Sequence, residues 1–353
     1  IKVPWYISLL GVAGAVFVMF LISPWACLIA IFIEAVIFFV LSRRTLEQNW
    51  GDVGSGLLLN IAKRALLSHS KRSRNPRNWR PQILLFMSNV MENIEQVKLG
   101  AAIAESKGVL TLCQMVDLGA FESQEDIGQR LERMHEDLTE IGIEAFCEVN
   151  VVRNYRNGSL EIARAHGIAG LKSNTIMEGV SEKEESRKDQ FQKLISMAES
   201  GKNIIYSRFG PRKENAEDKI LIWWGGKDNN ADLMLLLAHL MRLNQDYRNY
   251  EIEIASVVRS QEKAQEFKAK IYQQLNKARI KGKVKLYIDE NDAMEIIKTE
   301  SEKNRVVMLG LKLSGRIQEN IFTEWIINMS DKNELTLFVY NAGMAGAIPR
   351  LLK

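Results

Sequence analysis

The segment QILLFM, residues 82–87, is a short apolar run without a charged residue, and it is the first of ten mainly apolar runs that follow residue 80. Uninterrupted runs of this length are typical of strands that are buried on both faces of a parallel sheet. The ten predicted strands are 82–87, 109–116, 145–152, 174–178, 203–206, 220–224, 251–258, 284–288, 305–309 and 335–340.

Amphipathic helical patterns separate these runs, at 94–106, 127–141, 182–200, 232–244, 261–278, 292–301 and 317–329. Strand starts mostly recur at roughly 20–36 residues, which is the length of a strand–helix–strand unit. Regular alternation of strands and helices predicts an α/β fold with a parallel sheet.

The ten predicted strands fall into two sets of five. They are separated by FGPRKENAED at residues 209–218, a polar segment with a proline, as expected for a linker. We therefore predict two tandem, similar α/β halves, residues 81–209 and 210–353, that pack against each other.

The N-terminal end has a different composition. Residues 3–41 contain one acidic residue and no basic residue. This stretch is nearly twice the ~20 residues that cross a hydrocarbon core, and Ser23-Pro24 interrupts it. We therefore predict a transmembrane helical hairpin in residues 1–42, with spans at 4–22 and 25–41. A cleaved signal peptide is the alternative, but it would be shorter and would begin with a basic region.

Basic residues follow the second predicted span. Cytoplasmic flanks of membrane helices are enriched in Lys and Arg, so Arg43, Arg44 and Lys63 predict that residues 43–353 lie in the cytoplasm of a multi-pass cell-membrane protein. The sequence begins with Ile rather than Met, and we expect further membrane helices before it. Glu34, within the second span, either marks a functional site or hydrogen-bonds to a neighbouring helix.

Residues 43–80 form a predicted neck that is amphipathic and basic. Apolar residues recur at helical spacing between Leu57 and Leu67. A basic cluster follows, formed by Lys71, Arg72, Arg74 and Arg77. Beside a membrane such a cluster favours anionic lipid head groups, although a solvated linker can have the same composition. Nucleic-acid binding is not predicted, because the basic patch does not continue along the domain.

The composition gives no sign of an enzyme. The net charge of +4 is modest, the four histidines are scattered, and no His or Cys has metal-ligand spacing. The three cysteines, Cys27, Cys113 and Cys147, do not form a disulfide framework. We therefore predict neither catalysis nor a resident cofactor or metal.

Several motifs occur in a recognisable order. They are NWG at 49–51, NWRPQILLF at 78–86, the strand IWW at 222–224 followed by GGKD, and the leucine-rich stretch 233–240. Segments 305–309 and 321–341 match as well. Together they resemble the last two membrane helices and the C-terminal cytosolic domain of the cation-chloride cotransporters, the Na-K-Cl and K-Cl transporters. The resemblance covers essentially the whole chain.

The resemblance implies a secondary transporter that moves chloride with sodium and/or potassium. It also implies a cytosolic domain built from two units similar to universal stress proteins, which supports dimerisation and regulation. The family's ion sites lie in earlier membrane helices, the expected partners of this segment, so no ion ligand is assigned and the segment is not expected to transport by itself.

A membrane-tethered nucleotide sensor is the alternative function. In open α/β sheets, ligands bind beyond the strand carboxyl ends where the strand order reverses. In the second half that position would collect candidate phosphate-binding residues for ATP or another nucleotide: Gly225, Gly226, Lys227, Gly310, Lys312, Ser314 and Gly315. The same glycines are equally consistent with tight strand-to-helix turns.

The helix predicted at 317–329 carries more apolar residues than one face requires. Ile321, Phe322 and Trp325 are candidates for a homodimer contact across a two-fold axis. They are equally consistent with ordinary core residues.

Overall fold

The computed structural model of this chain describes residues 5–43, 52–71, 79–105, 108–121, 124–168, 171–225, 230–289, 292–313 and 317–343. The chain divides into two compact units, Ile1–Lys71 and Arg72–Lys353.

The first unit contains three helices, α1 (Trp5–Ile22), α2 (Pro24–Arg43) and α3 (Asp52–Lys71). The break between α1 and α2 falls at Ser23, as the Ser23-Pro24 pair predicts. Pro24 occupies the first position of α2, where a backbone N–H would have no partner within the helix. The Ser23 hydroxyl accepts a hydrogen bond from the Ala26 N–H at 3.3 Å and so caps the same helix.

Within the residues described in full, no helix combines the length and the apolar character that a membrane crossing requires. The transmembrane hairpin predicted for residues 1–42 is therefore not found in this part of the structure.

The second unit alternates strands and helices, as predicted. Its strands are β1 (Gln82–Met87), β2 (Val109–Asp117), β3 (Phe146–Val152), β4 (Gly167–Ile168), β5 (Leu171–Lys172), β6 (Thr175–Gly179), β7 (Asn203–Phe209), β8 (Glu217–Trp223), β9 (Glu251–Val258), β10 (Lys283–Ile288), β11 (Asn304–Gly310) and β12 (Leu335–Tyr340). Its helices are α4 (Ile94–Ala104), α5 (Gln124–Glu140), α6 (Tyr155–Ala165), α7 (Glu184–Glu199), α8 (Asn230–Met241), α9 (Gln261–Ala278), α10 (Ala293–Ser301) and α11 (Glu319–Ser330).

Ten of these strands form one sheet in the order β10-β9-β8-β11-β12-β7-β6-β1-β2-β3, and β4 pairs only with β5. Every neighbouring pair in the large sheet is parallel except β12 and β7, which are antiparallel. Each half therefore has the same order of strands, third-second-first-fourth-fifth. An approximate two-fold axis at the β7–β12 pair relates the halves, which form one continuous sheet.

Both faces of the sheet are buried, which explains the apolar runs in the sequence. Ile83 and Leu85 point into a core beneath α4, α5, α8 and α9, whereas Leu84 and Phe86 point into a second core beneath α6, α7, α10 and α11. Helices α4 and α8 contact each other on one face, and α7 and α11 on the other. Equivalent helices of the two halves thus meet on each side of the sheet.

Helix α6 is not predicted from the sequence. Its start is marked by Asn154, whose side chain accepts a hydrogen bond from the Asn157 N–H at 3.1 Å. Gly158 lies in its first turns and weakens the helical pattern, because glycine is a poor helix former. Packing requires that glycine, since a Cβ at position 158 would lie 2.5 Å from Val152 Cγ1.

The outer strand β10 carries a charged cluster that includes Glu300, from α10. The Glu300 carboxylate accepts hydrogen bonds from Lys285 at 3.0 Å, Tyr287 at 2.6 Å and Lys303 at 2.5 Å. Partial burial raises the pKa of Glu300, but the hydrogen bonds from Lys303, Tyr287 and Lys285 outweigh it and hold the pKa at about 2.

Candidate functional site

Each half has a point where its strand order reverses, between β1 and β6 in the first half and between β8 and β11 in the second. Such points open a crevice beyond the carboxyl ends of the strands, where α/β proteins commonly bind ligands. The second-half crevice is partly filled by a buried asparagine, whereas the first-half crevice is open.

In the second half the structure brings two predicted site glycines to the same edge. Trp223 of β8 and Leu309 of β11 are register partners. Gly225, just past the end of β8, and Gly310, the last residue of β11, therefore lie at neighbouring strand ends. Lys312 lies just beyond them and is exposed. The remaining candidates, Gly226, Lys227, Ser314 and Gly315, lie outside the described residues.

Asn230, the first residue of α8, occupies the space beside Gly310. Its side chain is 5% exposed; Nδ2 donates to the Leu311 carbonyl at 2.7 Å and Oδ1 accepts from the Asn341 N–H at 2.8 Å. A Cβ on Gly310 would lie 3.1 Å from Asn230 Nδ2. Close packing against Asn230 therefore explains why residue 310 is a glycine, and no bound phosphate is needed to explain it.

The first half has a crevice that sequence reasoning missed. A cavity of about 740 Å³ opens at the ends of β1, β2 and β6 and beside the start of α7. Its polar lining includes Asn93, Gln96, Glu178, Gln190 and Lys193. The sequence signal was slight, a glutamate at the end of a predicted strand and a lysine fifteen positions later on a predicted helix.

Glu178 and Lys193 form a buried ion pair at the floor of this crevice. Each residue is 8% exposed. Glu178 Oε1 accepts hydrogen bonds from the Lys193 ammonium and from Gln190 Nε2, the latter at 2.8 Å. Glu178 Oε2 has no hydrogen-bonding partner among the described residues. Charges taken out of water in this way are stable only when they are paired and hydrogen-bonded.

Gln190 links the ion pair to the neighbouring strands. Its Nε2 also donates to the Gly179 carbonyl at 2.9 Å, and its Oε1 accepts from the Tyr206 hydroxyl at 2.6 Å and from the Ser181 N–H at 3.0 Å. Burial, and secondarily the Glu178 carboxylate, raise the pKa of Tyr206 well above its ordinary value. The network is neutral overall and fixes the ends of β6 and β7 against α7.

Nothing in the described crevices resembles a catalytic centre. In the described ranges no three His, Cys, Asp or Glu side chains come together as metal ligands would. The first-half crevice presents hydrogen-bonding groups around one buried ion pair, which is an arrangement for binding or for rigidity.

The three apolar residues of α11 have different surroundings. Phe322 is 4% exposed and stacks on Phe191 of α7 with ring centroids 4.2 Å apart. Trp325 is partly buried against Phe338 at 5.4 Å, whereas Ile321 is 58% exposed. Phe322 thus helps to join the two halves, and Ile321 remains available for a contact with another molecule.

Of the predicted lipid-binding cluster, Lys71 is the last residue of α3. Arg72, Arg74 and Arg77 lie outside the described residues.

No family model matches the chain. The potassium/chloride cotransporter 3 of Caenorhabditis elegans is 25% identical over 325 residues, which cover 85% of this chain and 30% of that protein. Solute carrier family 12 member 9 of Rattus norvegicus is 30% identical over 181 residues, which cover 50% of this chain and 19% of that protein. The chain therefore spans less than a third of the length of these relatives.

Among solved structures, the cytoplasmic domain of a prokaryotic cation chloride cotransporter superposes with a TM-score of 0.57 at 11% identity, covering 76% of this chain and 99% of that one. A putative universal stress protein from Pseudomonas aeruginosa covers 79% of the chain with a TM-score of 0.48, an overlap too low to argue from. At 11% identity, the superposition on the cytoplasmic domain of the prokaryotic cotransporter shows a shared fold and nothing further. The resemblance carried by the sequence motifs is confirmed: this chain is similar to the cation-chloride cotransporters, and its α/β unit shares the fold of a cytoplasmic domain from such a transporter.

Proposed function

We propose that this chain is the C-terminal part of a membrane transporter that moves chloride together with sodium and/or potassium. Residues 81–353 are its cytosolic regulatory and dimerisation domain and do not contain the ion pathway. The observation that carries this proposal is similarity to a potassium/chloride cotransporter over 85% of the chain.

The architecture suits a regulatory role. A single sheet joins both halves through β7 and β12, so a force or a contact on one half is transmitted to the other without a flexible joint. Ile321 offers an exposed apolar side chain for a second copy, and the basic residues near Lys71 offer charges to anionic lipid.

The test is uptake of labelled rubidium and sodium into vesicles that hold the full-length parent protein, with chloride or with gluconate outside. We expect cation uptake that requires chloride, and its loss when the protein is truncated after Leu41. Uptake that is indifferent to chloride would refute the cotransporter assignment. Full uptake by the truncated protein would refute a role for the domain in activity.

A nucleotide sensor is the second candidate, and the first-half cavity of about 740 Å³ favours it. Its position at the β1–β6 switch point is one where α/β proteins hold nucleotides. Equilibrium dialysis of the full chain with labelled ATP tests this candidate. Binding that is lost in Lys193→Gln but kept in Lys312→Gln would support a nucleotide site in the first half. Binding that persists in Lys193→Gln, or no binding by the wild type, would reject this site.

A further inference from the structure

A groove of about 550 Å³ lies at the amino ends of β2 and β3, on the side of the sheet that carries α4. Its walls are mainly small or apolar: Ala101, Ala104, Val109, Ile143 and Ala145. Phe146 stands at one side of it and is 68% exposed, which is unusual for a large aromatic residue at the start of an outer strand. An outer strand with such a surface invites pairing with another segment.

The groove is also acidic. Glu105 and Glu144 both line it and both are exposed, whereas none of its described lining residues is Lys or Arg. Asn244 Nδ2 donates to Glu105 Oε2 at 2.5 Å and fixes that carboxylate at the groove wall. An occupant that matches this surface is apolar, has small side chains and carries positive charge.

The last ten residues of this sequence, MAGAIPRLLK at 344–353, have that character. Ala, Gly, Ile and Leu provide small and apolar surface, Arg350 and Lys353 provide the charges, and no acidic residue is present. Three residues separate the end of β12 from this segment. The Ala342 N–H donates to Asn203 Oδ1 at 3.0 Å, so the chain leaves β12 on the side of β7, toward the first half.

The distance is well within reach. Asn203, Thr175, Ile83 and Leu110 are successive register partners across β7, β6, β1 and β2. Leu110, which lines the groove, is therefore roughly 14–15 Å along the sheet from Asn203, at about 4.8 Å per strand. Ten extended residues span up to about 33–36 Å.

We propose that residues 344–353 dock in this groove of their own chain. Their apolar side chains cover Phe146, and Arg350 and Lys353 lie beside Glu105 and Glu144. Bound in this way, the segment protects the start of the outer strand β3 from pairing with other molecules. The proposal is independent of the transported ions, since it concerns only this domain.

Hydrogen exchange measured on the full chain tests the proposal. Ending the chain after Gly343 should speed exchange of the amides at 143–147 by about tenfold or more, because a segment that covers them is removed. Exchange at Leu84, in the core of β1, should stay unchanged and show that the sheet is intact. Unchanged exchange at 143–147 would overturn the proposal.

Charge reversal tests the same contact without shortening the chain. The double substitution Glu105→Lys with Glu144→Lys should raise exchange at 143–147 roughly two- to fivefold, as expected for exposed ion pairs. Adding Arg350→Glu with Lys353→Glu should restore protection. Glu140→Lys, at the exposed end of α5, is the matched control and should have no effect.

Two results would contradict docking within one chain. An equal effect of Glu140→Lys would mean that net charge alone matters. Protection that disappears on dilution would assign the groove to the C-terminal segment of a second copy.

Discussion

Replacing Lys193 by Met should destabilise the α/β unit strongly, because it leaves the Glu178 carboxylate buried without its cation. Side-chain exposure is 9% for Lys193 and 11% for Glu178, so water from the crevice replaces the lost partner only in part. Removing one member of a buried ion pair costs about 3–5 kcal/mol. For a domain of this size that corresponds to a fall in Tm of roughly 6–20 °C, at about 2–4 °C per kcal/mol.

Thermal unfolding of the full chain, followed by tryptophan fluorescence, measures this effect. The matched control is Lys188→Met, on the same helix. Lys188 pairs with Glu184 at 2.9 Å on the surface, and its loss should leave Tm unchanged because exposed pairs contribute little. The double variant Lys193→Met with Glu178→Gln removes both charges and should recover much of the loss. A Tm for Lys193→Met equal to that of the Lys188→Met control would refute the reasoning.

Three further predictions concern other parts of the unit. Gly158→Ala should cost about 1–3 kcal/mol of unfolding free energy by overpacking against Val152, and Val152→Ala should relieve it; urea denaturation of the single and double variants decides this. The pKa of Glu300 is depressed from 4.5 to about 2, so its contribution to stability is present above pH 4.5 and is lost as the pH falls toward 2. Glu300→Gln should therefore flatten the decline in stability over that range, and a decline as steep as in the wild type would contradict the assignment. Phe322→Ala should lower stability by about 3–5 kcal/mol because the ring is core, whereas Ile321→Asp should leave stability intact and reduce dimer content in light scattering if α11 is a contact between copies.

Much of the fold follows from the sequence because the inner strands of the sheet are buried on both faces. Strands β1 and β12 coincide with the predicted segments 82–87 and 335–340, since a strand covered on both faces is apolar at nearly every position. Helices with a strong amphipathic pattern, such as α9 at Gln261–Ala278, were predicted over the same residues. Helix α6 was not, because Gly158 is selected by its distance from Val152 and not by helix propensity.

The candidate site was less accessible to sequence reasoning. Gly225 and Gly310 were chosen because glycines are common in phosphate-binding turns, but Asn230 packs against Gly310 and gives it a purely steric reason. The Glu178–Lys193 pair and its links to Gln190 and Tyr206 leave no sequence motif, since their members come from two strands and a helix.

What the sequence determined by itself was local: which segments are strands and most of the helices, and which family its motifs resemble. These features depend on short-range periodicity and on runs of residue types. Only the tertiary structure decided that β7 and β12 pair antiparallel, so that two halves become one sheet, and that one switch-point crevice is open while Asn230 occupies the space beside Gly310 in the other. Those outcomes depend on contacts between residues 80 or more positions apart. The free energy of such contacts is set by three-dimensional packing, which no pattern of neighbours along the chain encodes.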